Sequence, residues 1–266
     1  MLTRLSRPRT RTLILCALPV LALFGVAAFA PLPFTLAQPG TTANVLGKDH
    51  GTPVISIKGA PTRPTKGELR MTTIVATGPN VDVGIGDVVD SWFRTDRAVL
   101  PRNSVYPTGG SEKEIEKHNL EDMRKSQNSA VDAALNYLGK PKGSVDVTLH
   151  LADVGGPSAG LFFALGIVDK LDGDGDGSGG DLTGGRTIAG TGTIQANGAV
   201  GAVGGVSLKT QAAHRDGATV FLVPKAECRE AGAELPKGLR LIPVTTLKSA
   251  VSSLQALEQG RKVPSC

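Results

Sequence analysis

An α/β (α+β) fold, one domain behind an N-terminal apolar helix, is what the sequence predicts, and three observations predict it. Apolar spacing switches between period two and helical period several times along the chain. Glycine (34) and proline (17) punctuate those segments while aromatics are only 4%, which suits a tight α/β domain with many turns better than an aromatic-rich sandwich. No internal repeat is visible, and 266 residues suffice for a sizeable core in one or two domains.

The N-terminus reads as an address. Arg4, Arg7, Arg9 and Arg11 precede LILCALPVLALFGVAAFA (13–30), and the first forty residues hold no acid. The run is short for a membrane span and long for most signal-peptide cores. Arginines before it predict a cytoplasmic N-terminus and an exported body, a single-pass membrane protein. A retained transmembrane anchor competes with cleavage after Ala30, which Pro31 opposes, or after Ala37. Cys16 has Leu15 where a lipoprotein signal needs a small residue. Apart from the four arginines, bases and acids nearly balance, although the whole chain is +5. No basic face for nucleic acid is therefore expected.

Residues 31–52, rich in Pro, Gly and Thr, read as a linker. Residues 53–58 and 68–77 alternate as strands, and IGDVVDSWF reads as a short helix in an irregular stretch (79–110). Ser111 and Glu114 form a capping-box pattern opening a helix. Its Met123, Ala130, Ala134 and Tyr137 share a face, and Gly139 ends it. A strand follows at 145–151. Residues 159–171 are apolar all round, as in a buried helix. TIAGTGTIQANGAVGAVGG reads as a hairpin with Asn197-Gly198 in a type I′ turn. VSLKTQAAHRDG is a short helix stopped by Gly217. The strands ATVFLVP and LRLIPV and a final helix capped by Thr245 or Thr246 complete the chain; its Leu247, Ala250, Val251, Leu254 and Leu257 keep helical spacing.

The chemistry concentrates at GGPSAG (155–160). Ser158 sits at a strand-to-helix join, where unpaired N–H groups and the helix dipole can hold an oxyanion. Gly156-Pro-Ser158-Ala-Gly160 also fits the G-x-S-x-G nucleophile elbow, and an ordinary N-cap serine would look the same. The base must decide. Of the histidines only His214 follows the serine, and an α/β-hydrolase esterase would need it. His50, His118 and His150 lack HExxH spacing, so no zinc hydrolase is expected. Lys209, one turn into a helix entered by Gly204-Gly205, can deprotonate a serine if burial lowers its pKa.

Taken together, GGPSAG, TGTI, the GxVGxVGG hairpin, GGVxxK and AAHRxGATVFLVP resemble the proteolytic domain of the Lon family, over about residues 119–250. MRKSQNSAVDAALNYL resembles the helix before the catalytic region. Upstream, NVLG, PTKGELRMTTI and VYP look like the membrane-anchored extracytoplasmic PDZ/Lon-like proteases of bacteria. The resemblance implies a Ser-Lys dyad of Ser158 and Lys209, Thr191 orienting the lysine, and the Gly156 and Ser158 amides as oxyanion donors. It implies this division: 1–12 cytoplasmic basic segment, 13–30 membrane helix, 31–52 linker, 53–260 Lon-like domain, 261–266 tail. It also implies polypeptide substrates, no cofactor, and a homo-oligomer, since rings are common in that family. Three departures stand out: only GKPKGSV bridges 139–145 where those relatives carry a PDZ domain, Thr193 replaces an acid of cytoplasmic Lon, and the loop at 172–181 is extended. No GxxxxGK[ST] segment occurs, so the expected activity is ATP-independent cleavage of accessible or unfolded exported proteins. A catalytically silent envelope scaffold is the rival outside enzyme chemistry.

Two expectations concern side features. Cys228 and Cys266 are the pair left in the expected exported part, and an oxidising compartment favours a disulfide between them. Asp172, Asp174 and Asp176 begin a D-x-D-x-D-G calcium pattern, but Thr183 stands where the bidentate glutamate belongs, so a solvated acidic loop is the simpler reading.

Overall fold

The structure is a computed structural model and describes residues 8–106, 112–151, 156–173 and 180–266. The helices are α1 (Pro8–Phe29), α2 (Ile85–Trp92), α3 (Arg102–Val105), α4 (Glu112–Tyr137), α5 (Gly160–Asp172), α6 (Val206–Arg215), α7 (Cys228–Ala233) and α8 (Leu247–Glu258). The strands are β1 (Phe34–Asn44), β2 (Lys48–Asp49), β3 (Thr52–Pro53), β4 (Ile55–Lys58), β5 (Glu68–Ala76), β6 (Ala98–Pro101), β7 (Asp146–Leu149), β8 (Thr187–Gly190), β9 (Thr193–Ile194), β10 (Val200–Gly201), β11 (Val220–Pro224) and β12 (Arg240–Val244). One-turn 3-10 segments, Pro157–Ala159 and Lys225–Glu227, lead into α5 and α7.

Six strands form one mixed sheet in the order β12-β11-β8-β5-β1-β6. β12, β11, β8 and β5 run parallel, and β1 pairs antiparallel with both β5 and β6. Parallel strands need cover on both faces. On one face Phe162, Leu165 and Val168 of α5, Ala130 and Ala134 of α4 and Val251 and Leu254 of α8 pack on Leu69, Met71, Ile188 and Leu222. On the other, Val206 and Ala213 of α6 and Ala231 of α7 pack on Phe221, Val223 and Leu241. α5 is apolar all round because it is enclosed: residues Gly160 to Asp169 are all buried. The mixed α/β class is as expected.

The structure revises several expectations. The supposed linker contains β1, an inner strand with Thr35 and Ala37 buried. Its Pro39-Gly40 looked like loop punctuation but marks a register shift between Pro39 and Thr42, where a side chain on Gly40 would overlap Thr73. The expected hairpin exists as β9 and β10, but its turn is not type I′. Gly198 N–H bonds to Gln195 O (2.8 Å), and Gly198 has φ 81° while Asn197 is not left-handed. That is a type I turn followed by a left-handed glycine. β7 pairs with β4 in a separate two-stranded sheet. Ser111 of the expected capping box lies outside the described residues.

The single-pass membrane localisation is also corrected. Among the described residues no helix is long and apolar enough to cross a membrane. The apolar run 13–30 is at the short end for a span: at about 1.5 Å per residue it reaches about 27 Å against a hydrocarbon core of roughly 30 Å. Pro19 inside α1 also removes one helical hydrogen bond.

At the other end, Cys228 and Cys266 form a disulfide with Cα atoms 5.3 Å apart, which fastens the C-terminal tail to the start of α7. Val263 of that tail is buried.

Candidate active site

Ser158 lies in the 3-10 turn that leads into α5, and its neighbours explain why the chain turns there. Gly156 has φ 85°, a left-handed value suited to glycine, and Pro157 begins the turn with a fixed φ and no N–H to satisfy. The carbonyls are held from behind. Ser126 Oγ of α4 donates to Pro157 O (3.0 Å). Gly192 N–H (3.0 Å) and Thr191 Oγ1 (3.2 Å) both donate to Ser158 O. Leu161 N–H returns a bond to Gly192 O (3.1 Å). The turn is thus fixed to α4 and to the end of β8, with the serine half-buried. Gly160 permits the close approach, since a Cβ there would lie 2.7 Å from Ser126 Oγ. The first N–H groups of such a turn have no partner inside it, which is the position the Gly156 and Ser158 amides occupy.

Thr191 follows β8 directly and is fully buried. Its N–H donates to Leu222 O (3.2 Å), and the carbonyl before it, Gly190 O, accepts from Thr72 Oγ1 (3.0 Å). A Cβ on Gly190 would overlap the Leu222 carbonyl. The sheet therefore sets the position of the threonine.

Lys209 is the fourth residue of α6, and its N–H donates to Gly205 O (3.1 Å). The helix begins after Gly205, left-handed at φ 67°. Leu208, Thr210, Ala212 and Ala213 around the lysine are buried, and Lys209 itself is only 3% exposed. Its Nζ donates to Thr191 Oγ1 (3.2 Å). The threonine proton is committed to Ser158 O, so the lysine must be the donor in this pair. Burial lowers the Lys209 amine to about 8 from 10.5, against the opposing pull of the Glu227 and Glu230 charges.

The structure thus gathers Ser158, Thr191 and Lys209. It does not bring His214 with them: that residue is exposed and lies five positions beyond Lys209, about 140° round the same helix. His50 and His150 are exposed, and His118 faces Asp122 on α4 (3.3 Å). Asp172 ends α5, while Asp174 and Asp176 lie outside the described residues. Among the described residues no group of three or more His, Cys, Asp or Glu could hold a metal. Four residues around the site escaped the sequence reading: Thr72, Ser126, Glu227 and Glu230. Ser126 was legible, standing three after Met123 and four before Ala130 on the buried face. The glutamates gave no signal, because their bonds, Glu227 Oε1 from Val203 N–H and Glu230 Oε1 from Val206 N–H (both 2.9 Å), join distant segments.

Residues 142–256 match the model of the Lon protease (S16) C-terminal proteolytic domain. Lon protease 1 of Myxococcus xanthus is 31% identical over 128 residues, 44% of this chain and 15% of that protein. Lon protease of Clostridioides difficile (strain 630) is 37% identical over 99 residues, 36% of this chain and 11% of that protein. The chain thus spans well under two thirds of the length of these relatives. Residues 142–256, the segment that carries Ser158, Thr191 and Lys209, are thus similar to the proteolytic domain of the Lon (S16) serine peptidases.

Proposed function

We propose that the chain is an ATP-independent endopeptidase in which Ser158 is the nucleophile and Lys209 the general base. One observation carries this reading: a buried lysine amine, lowered to about 8, hydrogen-bonded to a threonine that is itself bonded to the serine's carbonyl. Near neutral pH a useful fraction of such an amine is unprotonated, and a base works best near the operating pH.

In the first step Lys209 Nζ takes the Ser158 hydroxyl proton as Oγ bonds to the scissile carbonyl carbon. The Gly156 and Ser158 N–H groups hold the resulting oxyanion. The C–N bond then breaks, and the leaving amine receives the proton from the lysine ammonium. A water attacks the acyl-enzyme, gives its proton to Nζ, and the ester bond breaks with that proton returning to Oγ. Thr191 keeps one amine N–H engaged, which leaves the nitrogen lone pair for the serine.

Substrates on this reading are accessible or unfolded polypeptide segments, and cleavage without ATP fits the lack of a GxxxxGK[ST] phosphate loop in these 266 residues. Exported proteins as targets fit the Cys228–Cys266 disulfide, since such bonds persist in oxidising compartments. The test is cleavage of fluorescein-labelled casein by the full chain without ATP. Ser158→Ala and Lys209→Ala, shown folded by circular dichroism, should abolish cleavage while His214→Ala keeps it. Loss in His214→Ala alone would move the chain to a triad hydrolase, and an inactive wild type would favour the silent scaffold.

A further inference from the structure

Glu227 ends the 3-10 turn before α7 and is 8% exposed. Its Oε1 accepts the Val203 N–H (2.9 Å), while Oε2 is buried with no hydrogen-bond partner among the described residues. An orphaned carboxylate oxygen costs stability, so packing alone gives no reason for it. Its surroundings supply one. Gly205 has no side chain with which to cap α6, and the start of that helix is instead held by two carboxylates from another segment. Glu230 takes the Val206 N–H, and Glu227 takes the Val203 N–H just upstream. Both also lie where negative charge favours a helix N-terminus. Lys209 is one turn further on.

We propose that Glu227 is a positioning residue for the peptidase reaction. Its Oε1 fixes the Val203 turn from which α6 directs Lys209 to Thr191, and its unpaired Oε2 is the buried negative charge that favours the lysine while it holds the serine's proton. The inference rests on Lys209 acting as base. Apart from Glu230, the elements packed against α6 bring few charges to it. Its packed neighbours β1, β8 and β11 carry none, and on β5 Glu68 and Arg70 pair with each other (2.6 Å). On α7 stand Arg229 and Glu230, and the charges of Glu227 and Glu230 both favour the Lys209 ammonium against burial.

The test compares pH profiles of kcat/KM for casein cleavage by the full chain carrying Glu227→Gln, Glu227→Ala or Glu230→Gln. Glutamine keeps an acceptor for Val203 but removes the charge, so the acid limb should move to lower pH by about half a unit or more. Alanine removes both, and kcat should fall by roughly 10-fold or more throughout the range. Coincident limbs for wild type and Glu227→Gln, with Ser158 and Lys209 still essential, would overturn the proposal. Activity surviving in Lys209→Ala would instead overturn the base assignment beneath it. A readout free of turnover is the NMR titration of the Lys209 side chain in Ser158→Ala: adding Glu227→Gln should move its midpoint down, and an unmoved midpoint refutes the role.

Discussion

The Lys209 ammonium donates to Thr191 Oγ1 at 3.2 Å, and the same hydroxyl donates to the Ser158 carbonyl at 3.2 Å. One threonine therefore joins the end of β8, the turn before α5 and the first turns of α6. Replacing it tests that junction. Thr191→Val keeps the shape but loses both bonds, and kcat/KM should fall roughly 10–100-fold, part of what a positioned base contributes. Thr191→Ser should restore most of it, and equal losses in both variants would show that the hydroxyl is not what matters.

Burial of Lys209 sets both a pH profile and a stability cost. With the amine at about 8, kcat/KM should rise with pH through an acid limb near that value. The folded chain binds fewer protons than the unfolded one between about 8 and 10.5, so this residue's cost is full below 8 and is relieved as pH rises towards 10.5. Lys209→Met should therefore be inactive yet more stable at pH 7, by up to about 3 kcal/mol, measured by urea unfolding. A destabilised methionine variant would contradict the buried-amine account.

Asp169 shows the opposite sign. It is fully buried on α5, and burial pushes its carboxyl up to about 6 from 3.8 despite the Leu182 N–H (3.1 Å). Arg63, 3.9 Å away, opposes the rise but does not outweigh burial, and its guanidinium also donates to Gly180 O (2.6 Å). The cost is absent below about 3.8 and grows as pH rises to about 6. Asp169→Asn keeps an acceptor for Leu182 and should stabilise the chain at pH 7 by about 1–3 kcal/mol, with no gain at pH 3.5.

Gly190 has no space for a side chain, because a Cβ would overlap the Leu222 carbonyl and press on Phe162. Gly190→Ala should separate β8 from β11, destabilise the chain by about 2–4 kcal/mol, and displace Thr191. The combined loss of Tm and cleavage is the expected reading; a stable, active variant would show that the strands adjust.

The Cys228–Cys266 disulfide closes a loop with a sequence separation of 38. Cys266→Ser should lower stability by about 2–4 kcal/mol in denaturant titration. Cys228 also follows Glu227 directly, so the variant should lower activity before it unfolds the domain. Unchanged activity at full folding would separate the tail from the site.

Much was legible along the chain because its signals are local. Helical spacing marked α4 and α8, an unbroken apolar run marked α5, alternation marked β5, and the serine and lysine each stood in a glycine-rich context one turn from a helix start. β1 was missed because Pro39 and Gly40 are loop residues by local rules, and only a neighbouring strand can make them a bulge. The turn at Asn197-Gly198 was misjudged for a related reason: the dipeptide permits two geometries, and the Gln195–Ala199 closure selects one.

By itself the sequence determined which residues have the chemistry, a serine at a helical turn and a lysine beside paired glycines, and the periodicities that build an α/β layer structure. Only the tertiary structure decided that these groups meet. Residues 158, 191 and 209 are remote in the chain, and their approach depends on β8 lying parallel between β5 and β11 with α5 and α6 on opposite faces. Burial decided the rest. A lysine's basicity and a glutamate's charge depend on the water removed from around them, and that is set by the packing of whole elements.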